Sequence, residues 1–248
     1  MIRKTLMAAG LIALAPAAQS APLIDVYAGA YTWNASLSGT IATDGDGDID
    51  MKDDLGFGRE RQNVLYFGLE HFVPLVPNVR LKHMVMSDSS RNTIERNIEF
   101  GGGDFVITDE VASDFDLDMT DLTLYYTPLN NVVKLDAGLN IRRVDADFRL
   151  RSGGEEGRET AKETFPMLHL AARANLPFSG MYAGAEINTI RYDGSRIEDY
   201  TVKAGWVSDF LLGVELGYSQ FDIKLDDVSG LDTDIEFGGP YLALSLTF

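Results

Sequence analysis

Apolar and polar residues alternate along most of this chain with a period of two, the spacing that sends successive side chains to opposite faces of a β-strand. The final residues show it most cleanly. Leu242, Leu244, Leu246 and Phe248 fall on one face, and Tyr241, Ala243, Ser245 and Thr247 on the other. The same alternation recurs upstream and predicts ten strands, over residues 23–37, 60–73, 79–91, 114–127, 132–150, 162–176, 181–193, 197–207, 210–225 and 235–248. Each is long enough to cross a bilayer when tilted, for which about 9 to 11 residues suffice.

The connections fall into two classes. Residues 73–78, 127–131, 177–180 and 208–209 form short links with Pro, Asn, Gly or Asp to shape a turn. Residues 38–59, 92–113, 151–161 and 226–234 are longer and more polar, with a tight exception near Asp193 to Arg196. Short and long links alternate, as in an up-and-down antiparallel barrel with its short turns and both termini in the periplasm and its long loops outside. Eight or twelve strands are the alternatives to ten.

Face assignment agrees. Leu65, Phe67 and Leu69, Leu122 and Leu124, Leu135, Ala137, Leu139 and Ile141, Ala183, Ala185 and Ile187, and Leu212, Val214 and Leu216 form apolar rows suited to lipid. Their partners on the other parity include Glu70, Arg80, Lys82, Asp121, Lys134, Asp136, Asn140, Arg142, Arg173, Glu186, Asn188, Lys203 and Glu215. These belong in a polar lumen, and because they carry both signs they read as an internal ion-pair network, not a selectivity ring. Tyr126, Phe178, Trp206, Phe72 and Phe248 lie near the short turns, where an aromatic girdle is expected.

The N-terminus adds export. Arg3 and Lys4 precede an apolar run from Leu6 to Ala15, and Ala18-Gln19-Ser20 fits a small-x-small cleavage site. Residues 1–20 read as a signal peptide, with cleavage after Ser20 or after Ala21, and 21–248 as a single barrel domain. No later segment is apolar for the ~20 residues a membrane helix needs. A closed barrel is the other backbone arrangement that satisfies its hydrogen bonds in lipid.

Charge and composition then narrow the chemistry. Loss of Arg3 and Lys4 takes the formal net charge from -17 to -19, against any nucleic-acid partner held through phosphate. The absence of cysteine excludes disulfides, thiolate catalysis and Cys-ligated zinc. Asp44, Asp46, Asp48 and Asp50 alternate on a Gly-containing loop, followed by Asp53 and Asp54, and could converge weakly on calcium. Ile49 and Leu55 stand where an EF-hand needs Gly and Glu. A solvated acidic loop is the plainer reading, and no other cofactor is expected. A second acidic run, Asp104, Asp109, Glu110, Asp114, Asp116 and Asp118, follows Gly101-Gly102-Gly103, where the glycines read as loop flexibility; such anionic loops could meet the divalent cations that bridge lipopolysaccharide, and outer-membrane lipid and lipopolysaccharide are the expected partners. His71 and His83 fall on apolar rows and His169 points with Arg173 into the lumen, a dispersal that speaks against catalysis.

The terminal strand ending at Phe248 resembles the C-terminal signal of bacterial outer-membrane proteins, which implies recognition by the barrel-assembly machinery. Asp54-Leu55-Gly56-Phe57, the stretch around Glu70-His71 and Pro74-Leu75-Val76-Pro77-Asn78, and Phe237-Gly238-Gly239-Pro240-Tyr241 leading to Phe248 resemble a family of proteobacterial outer-membrane proteins named for a Gly-Gly motif. That resemblance spans most of the mature chain and implies a small barrel of the Gram-negative outer membrane; it implies no activity. The expected role is a non-enzymatic envelope or surface component. A narrow small-solute channel and a lipid- or peptide-processing outer-membrane enzyme are the alternatives.

Overall fold

The computed structural model describes residues 24–248 apart from 44–47, 96, 107, 229 and 230. Ten strands form the wall: β1 (Ile24–Thr43), β2 (Arg59–His71), β3 (Asn78–Thr93), β4 (Glu110–Asn130), β5 (Val133–Ser152), β6 (Glu155–Asn175), β7 (Met181–Tyr192), β8 (Ser195–Val207), β9 (Leu212–Val228) and β10 (Leu231–Thr247). Each pairs antiparallel with its sequence neighbours, and β10 pairs with β1 to close the sheet. The seam runs from Tyr27 opposite Thr247 to Thr43 opposite Leu231, and Val26 and Phe248 exchange backbone bonds of 3.1 and 2.7 Å at its foot. Closure leaves no strand edge in the hydrocarbon, which a membrane span requires.

All ten expected strands are present, but several reach further than the alternation suggested. The link expected over 151–161 shrinks to Gly153-Gly154, both at positive φ (56° and 106°), which is what a two-residue hairpin turn matched to strand twist demands. The link expected over 226–234 likewise closes near 228–231. Polar residues that suit a loop therefore sit on strands, because these strands rise above the membrane into water.

That rise shows as a switch of polarity along each strand. On β5 the outward side chains Leu135, Leu139 and Ile141 are exposed and apolar, and the next outward positions are Arg143, Asp145, Asp147, Arg149 and Arg151. On β4 the outward row runs from Tyr126, Leu124 and Leu122 to Thr120, Asp118, Asp116 and Asp114. The inward rows switch in the opposite sense: Asn140 and Arg142 give way to Phe148 and Leu150 on β5, and Asp121 and Thr123 to Met119 and Leu117 on β4. The switch lies level with Thr32, Asn63, His83, Thr120, Arg143, Thr189, Tyr200, Tyr218 and Pro240 around the wall. Below it the protein is apolar outside and polar inside, as lipid dictates; above it the wall is polar outside and apolar inside, as water dictates.

Phe72, Tyr126, Phe178, Trp206 and Phe248 stand exposed at the foot of the apolar belt, where the girdle was expected. The short turns there lie between the strand pairs β2–β3, β4–β5, β6–β7 and β8–β9. Above the belt, Ile49, Met51, Leu55 and Phe57 from the β1–β2 link and Ile94, Ile98, Phe100 and Phe105 from the β3–β4 link fold over the mouth and join the buried core. Residues 98–100 and 103–105 pair as a small separate hairpin within that cover.

Candidate functional site

The lumen contains three layers, and each follows from the inward residues of the strands. Nearest the periplasm is a polar chamber of about 340 Å³. Its wall presents Asp25, Glu70, Asp136, Glu186 and Glu215 against Arg80, Lys82, Lys134, Arg173 and Lys203, five carboxylates to five cations. The balance of sign removes any net field that would select one kind of ion.

Pairing in the chamber is specific. Arg80 grips Glu186 with both terminal nitrogens, one at 2.9 Å. Tyr182 and Tyr241 each donate a hydroxyl to Glu215 at 2.7 Å, and Tyr125 donates to Glu70 at 2.8 Å, where Lys134 also bonds. The Arg173 guanidinium lies 3.7 Å from the centre of the Tyr182 ring, a cation-π contact. Tyr27, Tyr31 and Tyr66 complete a lining of six tyrosines.

Above the chamber lies a belt of buried polar side chains. Arg142 donates from Nε and Nη2 to the two oxygens of Asp121, each at 2.7 Å, and from Nη2 to Asp199 as well. Lys82 Nζ stands 3.2 Å from Asp121, so two cations meet two carboxylates. Asn188 donates Nδ2 to Asp199 at 2.7 Å, which turns its Oδ1 toward His169 Nδ1 at 2.8 Å. An amide oxygen only accepts, so that nitrogen of His169 carries the proton. Alternation placed all of these residues in the lumen; the contact between Arg142 and Asp199, 57 positions apart, follows only from the closed barrel.

The third layer is an apolar seal, which the expectation of a polar lumen missed. Phe221 stacks on Phe237 with ring centres 5.9 Å apart, Phe237 on Phe115 at 5.6 Å, and Phe115 meets Phe148 at 6.2 Å. Phe148 then meets Phe100 and Phe57 of the covering links at 5.0 and 5.8 Å. This string of rings crosses the barrel from β9 and β10 to β4 and β5. Trp33, Met84, Met86, Leu117 and Met119 are buried around it, with the Trp33 indole donating to the Gly239 carbonyl at 3.0 Å. The signal was in the sequence as a change of parity: Leu117 and Met119 share parity with Asp121 and Thr123, so the apolar row of β4 moves inward above Thr120.

Of the residues proposed for calcium, Asp44 and Asp46 lie outside the described residues. Asp48 is exposed, and the Asp50 carboxylate accepts the backbone N–H of Lys52 at 2.8 Å and of Asp53 at 2.7 Å, while Asp54 accepts the N–H of Asp50 at 2.8 Å. These bonds cap the turn that carries Met51 and Leu55 into the seal. Among the described residues no three metal-ligating side chains stand together. In the second acidic run, Asp114, Asp116 and Asp118 point outward from β4 above the belt; Asp114 pairs with Arg151, and Asp118 lies 3.5 Å from His83.

The three histidines stand apart. His71 sits at the β2–β3 turn, where its Nε2 is 3.2 Å from the Pro77 carbonyl; His83 is on the outer wall at the polarity switch; His169 is in the lumen.

No family model and no curated protein matches the sequence. Solved structures do match in shape. The outer-membrane protease OmpT of Escherichia coli superposes with a TM-score of 0.55 at 11% identity, covering 90% of this chain and 97% of that one. The chain is an outer-membrane β-barrel. An outer-membrane channel of Pseudomonas putida F1 (TM-score 0.40, 11% identity, 95% and 100% covered) and Ail of Yersinia pestis with a heparin analogue (0.39, 12%, 91% and 98%) are more distant. At these identities the likeness concerns fold, and the protein's own lumen and wall must supply its chemistry.

Proposed function

We infer that the protein is a closed, non-enzymatic component of the outer membrane that contributes to the envelope or its surface through the part standing above the bilayer. The observation that carries this reading is the phenylalanine string across the lumen, packed by Trp33, Met84, Met86 and the covering links. Water and ions do not cross a packed apolar layer, because every polar group entering it loses its hydration. The placement of His71 at the periplasmic turn, His83 on the outer wall and His169 inside the buried polar belt supports the non-enzymatic part, since no cleft gathers them into one site.

Purified protein in planar bilayers tests it. A flat current trace at applied voltage is the expected result, with heat-modifiable gel mobility confirming that the barrel is folded. Stepwise conductance from folded protein would instead support a narrow small-solute channel, the reading favoured by the polar chamber below the seal.

A further inference from the structure

The wall is complete in the membrane and incomplete above it. Strand β6 pairs with β5 along its whole length, from Glu155 opposite Ser152 to Ala174 opposite Val133. On its other side it pairs with β7 only from Asn175 down to Leu168. The β7–β8 hairpin turns at Asp193-Gly194, and the covering hairpin at 98–105 reaches the upper arm of β6 only around Gly157 and Arg158, so Thr160–Thr164 has no strand beside it among the described residues.

Pro166 explains where the ladder stops. The Arg158 N–H bonds to the Gly101 carbonyl at 3.2 Å, away from β5, whereas the Asn175 N–H bonds toward the β4–β5 turn at Val132, 2.7 Å. Even-numbered residues of β6 thus address the β7 side. Position 166 is the next rung above Leu168, and proline has no N–H to offer there. Beyond it Thr160, Lys162 and Thr164 direct a donor and an acceptor each into the gap, with no backbone partner among the described residues.

The side chains say what fits beside this edge. On the outward row, Arg158 is taken up by Asp147 and Lys162 by Asp145 at 2.8 Å. On the inward row Glu159, Ala161 and Glu163 are exposed, in contrast to Gly157 below the covering hairpin, and neither glutamate has an ion pair among the described residues. A second copy is disfavoured as occupant. Antiparallel self-pairing about Ala161 sets Glu159 against Glu163, and pairing about Lys162 sets that lysine against its own copy.

We propose that the open edge of β6 at Thr160–Thr164 is a β-augmentation site for an extended cationic peptide, which adds as a strand and meets Glu159 and Glu163 with basic side chains. The two glutamates lie on one face roughly 13 Å apart, the reach of residues four apart in a strand, so the ligand carries Lys or Arg at positions four apart. This deepens the surface-component reading and rests on it. The two remain separable, because conductance reads the lumen and peptide binding reads the edge.

The test uses full-length protein in detergent micelles and a fluorescein-labelled peptide, Thr-Lys-Thr-Val-Thr-Lys-Thr, followed by anisotropy. Saturable binding is expected, weakened about tenfold or more when the peptide is N-methylated at alternate residues and when Glu159→Gln and Glu163→Gln are combined. Thr164→Pro removes a donor that the fold does not use, so it should keep heat-modifiable mobility and lose the peptide. If that variant does not fold, the N-methylated peptide and the glutamine pair still decide. No binding by wild type, equal binding of the methylated peptide, or dimerisation that blocks the peptide would each overturn the proposal.

Discussion

At the scale of single residues, the chamber is shaped by tyrosine rings lying on glycines. A Cβ at Gly68 would fall 2.0 Å from the Tyr27 ring, and one at Gly205 would fall 2.5 Å from that of Tyr182. Without those glycines the tyrosine hydroxyls could not reach Tyr125 and Glu215. Gly68→Ala should therefore lower stability by about 1–3 kcal/mol, as overpacking does. Gly58→Ala, where an added Cβ meets nothing within 4 Å, should be near neutral in the same urea titration. Arg142 poses a different problem, since its loss strands Asp121 and Asp199 without their shared cation. Arg142→Met should cost about 3–5 kcal/mol, with part recovered by adding Asp121→Asn. Its partnership with Asp121 was legible in principle, because the two face each other in one hairpin. Asp199 was not, because the alternation gives a strand's faces and says nothing of what lies across the lumen.

At the scale of elements, period-two alternation located every wall strand and gave the right face to each residue named for the lumen. It failed where the two solvents change places. A single parity rule cannot describe β5, whose outward row is Leu139 and Ile141 in lipid and Arg143 and Asp145 in water. The polar outward residues of the upper arms read as loop because strands of a purely membrane-embedded barrel do not carry them. Pro166 was visible in the sequence, but its consequence depends on which edge of β6 its nitrogen faces. Pro166→Ala should supply the missing donor and let the β6–β7 ladder climb one rung to Arg191. Hydrogen exchange would show it as protection of the amide at position 166, with no change at Met167, whose N–H already faces β5.

At the scale of the whole molecule, the part above the bilayer is a water-soluble β-structure fused to a membrane barrel, and its surface charge should respond to pH as such. Burial, together with Asp222 across the strand pair and Asp234 nearby, raises the Glu236 carboxyl above its ordinary value. A group whose pKa rises on folding stabilises the fold most below its unfolded pKa and loses that contribution as pH climbs through the folded one. Wild type should therefore fall behind Glu236→Gln as pH rises through the carboxylate range, and the gap should narrow in high salt. The comparison of thermal midpoints across pH is the measurement; equal slopes for the two proteins would remove Glu236 from the account.

The switch of polarity on β5 and β6 also sets a toll on getting the chain into place. The hairpin above the belt carries Arg143, Arg149, Arg151, Arg158 and Lys162 on its outer side, and all of it must travel from the periplasmic face to the far side of the membrane. Threaded through bare hydrocarbon, five cations at ~2–4 kcal/mol each near the midplane make a barrier on the order of 10–20 kcal/mol. Spontaneous insertion into pure lipid vesicles should accordingly be slow, and it should speed up when the hairpin is cut back to the level of Ile141 and Pro166. In the cell the crossing calls for a route that keeps those side chains wet until they emerge.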